Sequence, residues 1–112
     1  MTSIRTTNAS KGTERREFHR RKLQEALEIE WGSSTLTGMV RDIDPQGLFV
    51  ELMPPLWLGA TFSARLMLNP ILRLNCTVRR VEPGKGNAVT FDLPEESGKE
   101  QLKILLATLP KV

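Results

Sequence analysis

The chain is poor in the side chains that carry covalent or metal chemistry. Its 112 residues include one cysteine, Cys76, and one histidine, His19. One of each cannot build a metal site of the usual kind, and a single cysteine cannot close an internal disulfide. There is no Ser/His/Asp or Cys/His set and no glycine loop opening a helix to cradle phosphate. Asp42 and Asp44 form a carboxylate pair two residues apart, but no nucleophile or oxyanion site accompanies them. These gaps argue against an enzyme, and no cofactor is expected. What they leave is a binding module. Aromatic residues are scarce (5%, with no tyrosine), so stacking platforms for single-stranded nucleic acid are few. No apolar run approaches bilayer length, and the N-terminus lacks a signal-peptide stretch. Cys76 lies in an apolar-alternating run, which reads as a buried free thiol. The expectation is a cytoplasmic protein without membrane contact.

What is present is ordinary in amount and uneven in placement. An apolar content of 39% and a charged content of 26% fit one globular domain. Residues 1–22 carry seven Lys/Arg against Glu14 and Glu17, a net +5, whereas the remainder carries nine basic and eleven acidic side chains, a net −2. A near-neutral body thus bears a flexible basic arm at its front. The acidic balance of the body and its few aromatics make nucleic acid an unlikely partner. Residues 1–13, polar and without apolar period, read as a disordered leader.

From Leu23 onward the pattern is that of short strands. Leu23, Leu27, Ile29 and Trp31 alternate with Glu28 and Glu30, and the run stops at Gly32-Ser33-Ser34. A second strand is expected over 35–43, with Gly38 marking a bend or bulge. Asp44-Pro45-Gln46-Gly47 reads as a turn in which proline presets φ and glycine takes a conformation other residues avoid. Further strands are expected at 48–52, 61–68, 72–81 and 87–92. Six strands at this spacing point to a small antiparallel barrel or sandwich. Trp57, beside Pro54 and Pro55 in a loop, is the better placed of the two tryptophans to touch another protein. At the end, Ser97 and Glu100 match a capping box, and Leu102, Leu105, Leu106 and Leu109 make one helical stripe. That stripe is expected to close the barrel mouth or pack on its side.

Two polar stretches stand out from this scaffold. Arg15-Arg16-Glu17-Phe18-His19-Arg20 is a fork of guanidiniums, and Asp42-Ile43-Asp44-Pro45-Gln46-Gly47 is an acidic turn. Guanidiniums match phosphate oxygens bidentately and stack on purines, while a carboxylate accepts from a guanine's N–H edge. A guanine nucleotide offers both.

Together and in this order, the stretches resemble the PilZ family of bacterial cyclic di-GMP receptors. The resemblance runs over nearly all of residues 14–109. It includes the Arg-x-x-x-Arg pair at Arg16 and Arg20 with Arg15 before it, the pattern Asp42-x-Asp44-x-x-Gly47, and Cys76-Thr77-Val78-Arg79-Arg80-Val81. It implies one domain comprising an arginine arm (14–22), a six-stranded antiparallel β-barrel (23–92) and a C-terminal α-helix (97–109). It further implies that cyclic di-GMP is held by Arg15, Arg16 and Arg20 against Asp42, Asp44 and Gly47, and that an unidentified downstream protein reads the result. Arg15 before the core pair implies a stacked pair of ligand molecules. Arg79 and Arg80 alternate on a strand, so one of the two is expected to face the ligand. Asp44 stands where the family has serine. A hydroxyl donates and accepts, whereas a carboxylate only accepts. Asp44 therefore either repels the ligand or pairs with Arg16 or Arg20 and pre-folds the arm. The alternative is a degenerate PilZ domain that does not bind cyclic di-GMP and serves as a protein–protein adaptor in motility or pilus machinery.

Overall fold

The computed structural model describes residues 20–112. The leader, Arg15, Arg16, Phe18 and His19 lie outside the described residues. Six strands follow in order: β1 (Arg21–Trp31), β2 (Ser34–Ile43), β3 (Gly47–Glu51), β4 (Thr61–Leu66), β5 (Leu72–Glu82) and β6 (Gly86–Asp92). They close into a barrel in the spatial order β1-β2-β3-β6-β5-β4, with antiparallel pairs throughout and β1 against β4 at the closure. The helix α1 (Glu96–Thr108) follows. This is the expected barrel with a C-terminal helix. The first strand starts at Arg21 rather than Leu23, because Arg21 and Lys22 pair with Ile43 and Asp42 of β2.

Period-two alternation fills the interior. Leu27, Ile29, Val40, Val50, Leu66 and Leu74 are almost wholly buried. Each such side chain removed from water contributes about 1.5–3 kcal/mol. The outward positions are charged: Arg65 on β4 donates to Glu28 (2.8 Å) and Glu30 (2.9 Å) on β1, across the closing seam. Those two bonds raise the Arg65 pKa. Cys76 points inward, and burial pushes its thiol up to about 12, so it stays neutral and unreactive.

Gly38 does not make the expected bend. It pairs in regular register with Leu27. A Cβ there would come within 2.5 Å of Val50 Cγ2 and 2.9 Å of the Glu51 carbonyl, so the glycine admits the close approach of β3. The register shifts lie elsewhere, between Lys22 and Glu25 on β1, between Val40 and Asp42 on β2 and between Val78 and Arg80 on β5.

The helix also differs in detail from the sequence pattern. It starts at Glu96, its N-cap is Glu95, and no side chain caps it, so Ser97 and Glu100 form no capping box. Packing sets the start instead: Gly98 is buried where a Cβ would sit 3.2 Å from Leu72. Leu102 is buried, and Leu105, Leu106 and Leu109 pack partly buried on the core. The helix leads from near the start of β5, where Gln101 donates to the Pro70 carbonyl (2.5 Å), toward the start of β1, where Arg21 donates to the Leu109 carbonyl (3.4 Å), and its stripe packs on the core. Beyond it the chain returns to β1, where the Lys22 amide donates to Pro110 (2.8 Å) and the Val112 amide to Arg20 (2.9 Å).

The long loop between β3 and β4 is fastened by one buried side chain. Asn87, with no exposed surface, accepts from the Leu56 amide (2.8 Å) and donates to the Leu56 carbonyl (2.9 Å). It substitutes for a missing strand partner. The loop then holds Trp57 edge-on against Trp31, with ring centroids 4.8 Å apart, while Trp57 stays 67% exposed. Asn87→Ala leaves both Leu56 groups unpaired, and we expect it to cost about 2–4 kcal/mol. Urea unfolding measures this, and an unchanged midpoint would show that the loop is held by other means.

Candidate functional site

The acidic turn joins β2 to β3 and is built by its own side chain. Asp44 Oδ1 accepts from the amides of Gln46 and Gly47, both at 2.8 Å, and the Asp44 amide donates to the Gly47 carbonyl at 2.9 Å. A carboxylate oxygen thus satisfies two amides that the tight turn leaves without a ladder partner. Gly47 is needed, but not for an unusual backbone conformation: it is not among the positive-φ glycines. A Cβ at this position would run into the Val89 carbonyl oxygen of β6. The close approach is made by a neighbouring strand, which pairs Gly47 with Thr90.

Above the turn sits Arg20, the one of the three expected ligand-holding arginines that lies within the described residues. Its Nε (2.7 Å) and Nη2 (2.5 Å) meet Asp42 Oδ1, and its Nη1 meets Asp44 Oδ2 at 2.7 Å. The two carboxylates are only 13% exposed, whereas Arg20 remains 40% exposed. Largely buried carboxylates need such a partner, since unpaired they are costly to desolvate. Asp44 therefore divides its oxygens, one to the turn and one to the arm. Of the two expected pairings, the one with Arg20 is formed. Among the described residues, Asp42 Oδ2 accepts no hydrogen bond: its nearest cation is Arg41, whose Nε lies 3.7 Å away, too far for a good one.

A cleft of about 410 Å³ opens beside this fork. Arg20, Asp42, Asp44 and Gly47 line it, as do Arg41, Arg79 and Arg80. The structure thus brings together all of the expected site residues that it describes. It also corrects one expectation, because Arg79 and Arg80 both face the cleft. The bulge between Val78 and Arg80 breaks the alternation that would have sent them to opposite faces. Arg80 is engaged by Glu82 (2.7 Å), and Arg79 Nε donates to Thr90 Oγ1 (3.0 Å). Arg41 lies over the ring of Phe49, 4.2 Å from its centroid.

Sequence reasoning missed Arg41, Phe49 and Thr90. For the shared placement of Arg79 and Arg80 a signal existed. Leu72, Leu74, Cys76 and Val78 occupy alternate inward positions, and the next place in that phase belongs to Arg80. A charge at an inward position marks a break in the strand.

The model of the PilZ domain matches residues 14–107, and the chain belongs to this family. Solved structures share the fold at low identity. The PilZ domain of YcgR from Escherichia coli, solved with c-di-GMP, has a TM-score of 0.69 at 15% identity, covering 85% of this chain and 91% of that one. The PilZ domain of CeSA from a cellulose-synthesizing bacterium has a TM-score of 0.62 at 19% identity, covering 80% and 95%. The Bacillus subtilis inhibitor of motility (MotI/DgrA) has a TM-score of 0.63 at 14% identity, covering 84% and 52%. No curated protein matches in sequence.

Asp44→Ala removes the acceptor of two turn amides and half of the Arg20 fork, so stability should fall by about 1–3 kcal/mol. Asp44→Ser, whose hydroxyl still accepts from the turn, should lose less. Chemical denaturation of both variants decides; equal losses would mean that the turn does not depend on this acceptor.

Proposed function

We propose that this PilZ domain is a cyclic di-GMP receptor. The observation that carries the reading is the position of Arg20, seated on Asp42 and Asp44 at the edge of the cleft. Arg20 and the acidic turn, far apart in sequence, meet at one concave surface. Among the described residues, Arg20 donates through Nε and Nη1 to the two carboxylates, with Nη2 in contact with Asp42, and its remaining N–H groups suit phosphate oxygens. Arg16 and Arg15 supply further guanidiniums from the arm. The spare Oδ2 of Asp42 suits a guanine's N–H edge. Hydrogen bonds to charged groups are worth about 1.5–3 kcal/mol each, and a micromolar complex needs about 8 kcal/mol. A few arginine contacts and one recognised base therefore suffice. The fold neighbour YcgR, solved with c-di-GMP, is consistent with this use of the barrel.

In this reading the site is a switch without chemistry. The ligand draws the arm onto the barrel, and a partner protein in the cytoplasm reads the new surface. Arg15 adds charge for a stacked ligand pair. Asp44 does not repel the ligand, because its charge is matched by Arg20 and its other oxygen is turned into the loop.

One observation favours a second reading, in which the chain is an adaptor that has lost the ligand. Arg20 is already compensated within the protein by Asp42 and Asp44, and a ligand must share it.

Calorimetric titration of cyclic di-GMP into the purified protein separates the two. The receptor reading predicts saturable uptake of a ligand pair per chain. It predicts loss of binding in Arg16→Ala with the unfolding midpoint unchanged. It also predicts binding about three- to tenfold tighter in Asp44→Ser, which releases the Nη1 donor of Arg20 from a competing carboxylate. No heat at ligand concentrations well above micromolar would leave the adaptor reading.

A further inference from the structure

Two bulges shape the wall of the cleft, and in each the residue without a ladder partner is an arginine. On β2 the pairing with β3 passes from Val40 to Asp42, leaving out Arg41. On β5 the pairing with β6 passes from Val78 to Arg80, leaving out Arg79. A bulge interrupts the ladder and re-aims one side chain. Here both re-aimed side chains line the same cleft.

Their surroundings differ from those of the other cleft arginines. Arg20 is held by Asp42 and Asp44, and Arg80 by Glu82. Among the described residues, Arg79 makes no salt bridge to a carboxylate. Its Nε is oriented by a neutral hydroxyl, that of Thr90, whose strand neighbour is Gly47 of the turn. An oriented, uncompensated guanidinium beside the acidic turn is arranged for an anion. Arg41 is arranged for a flat surface. Phe49 points outward between the inward Leu48 and Val50, yet it is only 2% exposed, with the Arg41 guanidinium over its ring. A guanidinium lying on an aromatic ring presents a second planar face, which is weakly hydrated and stacks on purines.

We infer that this wall is a second contact surface for a purine nucleotide, with Arg79 taking a phosphate and Arg41, backed by Phe49, stacking on a base. The inference rests on the receptor reading and extends it from the arm to the barrel itself. It assigns specificity-determining roles to two residues outside the arm and the acidic turn. Thr90 is a positioning residue that acts through Arg79.

Titration of cyclic di-GMP into the wild type and four variants tests it, with thermal unfolding as a check on folding. Arg79→Ala should weaken binding about tenfold. Thr90→Val leaves the Arg79 charge in place but frees its direction, and should also weaken binding. Arg41→Lys retains charge and loses the planar stack, so a loss of about threefold or more is expected. Arg73→Ala removes the same charge from β5 outside the cleft and should bind as the wild type does. If Arg79→Ala and Arg41→Lys bind normally, or if Arg73→Ala loses as much as Arg79→Ala, the wall assignment is overturned while the receptor reading stands. If the wild type takes up no ligand, the receptor reading falls and the wall assignment falls with it.

Discussion

Closing six short strands into a barrel removes every free edge, but it obliges the strands to bend. That constraint shapes most of this protein. Strands of five to eleven residues cannot bend smoothly around so small a circumference, and the chain bends them by slipping the register on β1, β2 and β5. Inside, the slips are hardly felt, because Val40, Ile43 and Val78 remain buried on either side of them. Outside, they decide which charges face one another. The cleft is a by-product of barrel closure, and its arginines sit where the ladder is broken.

The aspartate in place of serine can be understood in the same local terms. The turn requires an acceptor at position 44 for two amides, and either a hydroxyl or a carboxylate can provide it. The carboxylate brings a second oxygen and a charge, and both are met by Arg20. The substitution thus keeps the geometry of the turn and changes what the arm is attached to. In a receptor the arm then starts from a docked position at Arg20. The cost is competition between ligand and carboxylates for one guanidinium, and the spare donors of Arg20 limit that competition.

Much of this architecture was legible in the sequence because half-buried strands announce themselves by alternation. Leu23 to Trp31 and Leu72 to Val78 could be read directly, and the turn at Asp44 to Gly47 separated two strands that do pair. Most of the misreadings share one cause, a tertiary neighbour that sequence spacing does not show. Spacing alone makes Gly38 and Gly47 look like conformational glycines, yet each is small because another strand passes over it. Ser97 looked like a cap, but Gly98 against Leu72 fixes where the helix begins. Arg79 and Arg80 were assigned to opposite faces because alternation was extended one residue too far. Phe49 does lie in the expected strand, but nothing in the local pattern shows that Arg41 covers it.

The tryptophan pair has an optical consequence. The chain's two tryptophans, Trp31 and Trp57, touch each other at the end of β1 away from Arg21, and neither lines the cleft. Their emission is therefore a gauge fixed to one end of the barrel. A ligand in the cleft can quench neither ring by direct contact. Any change in the spectrum on ligand addition would have travelled along the strands, and a constant spectrum beside a measurable heat would mean that the event stays at the arm.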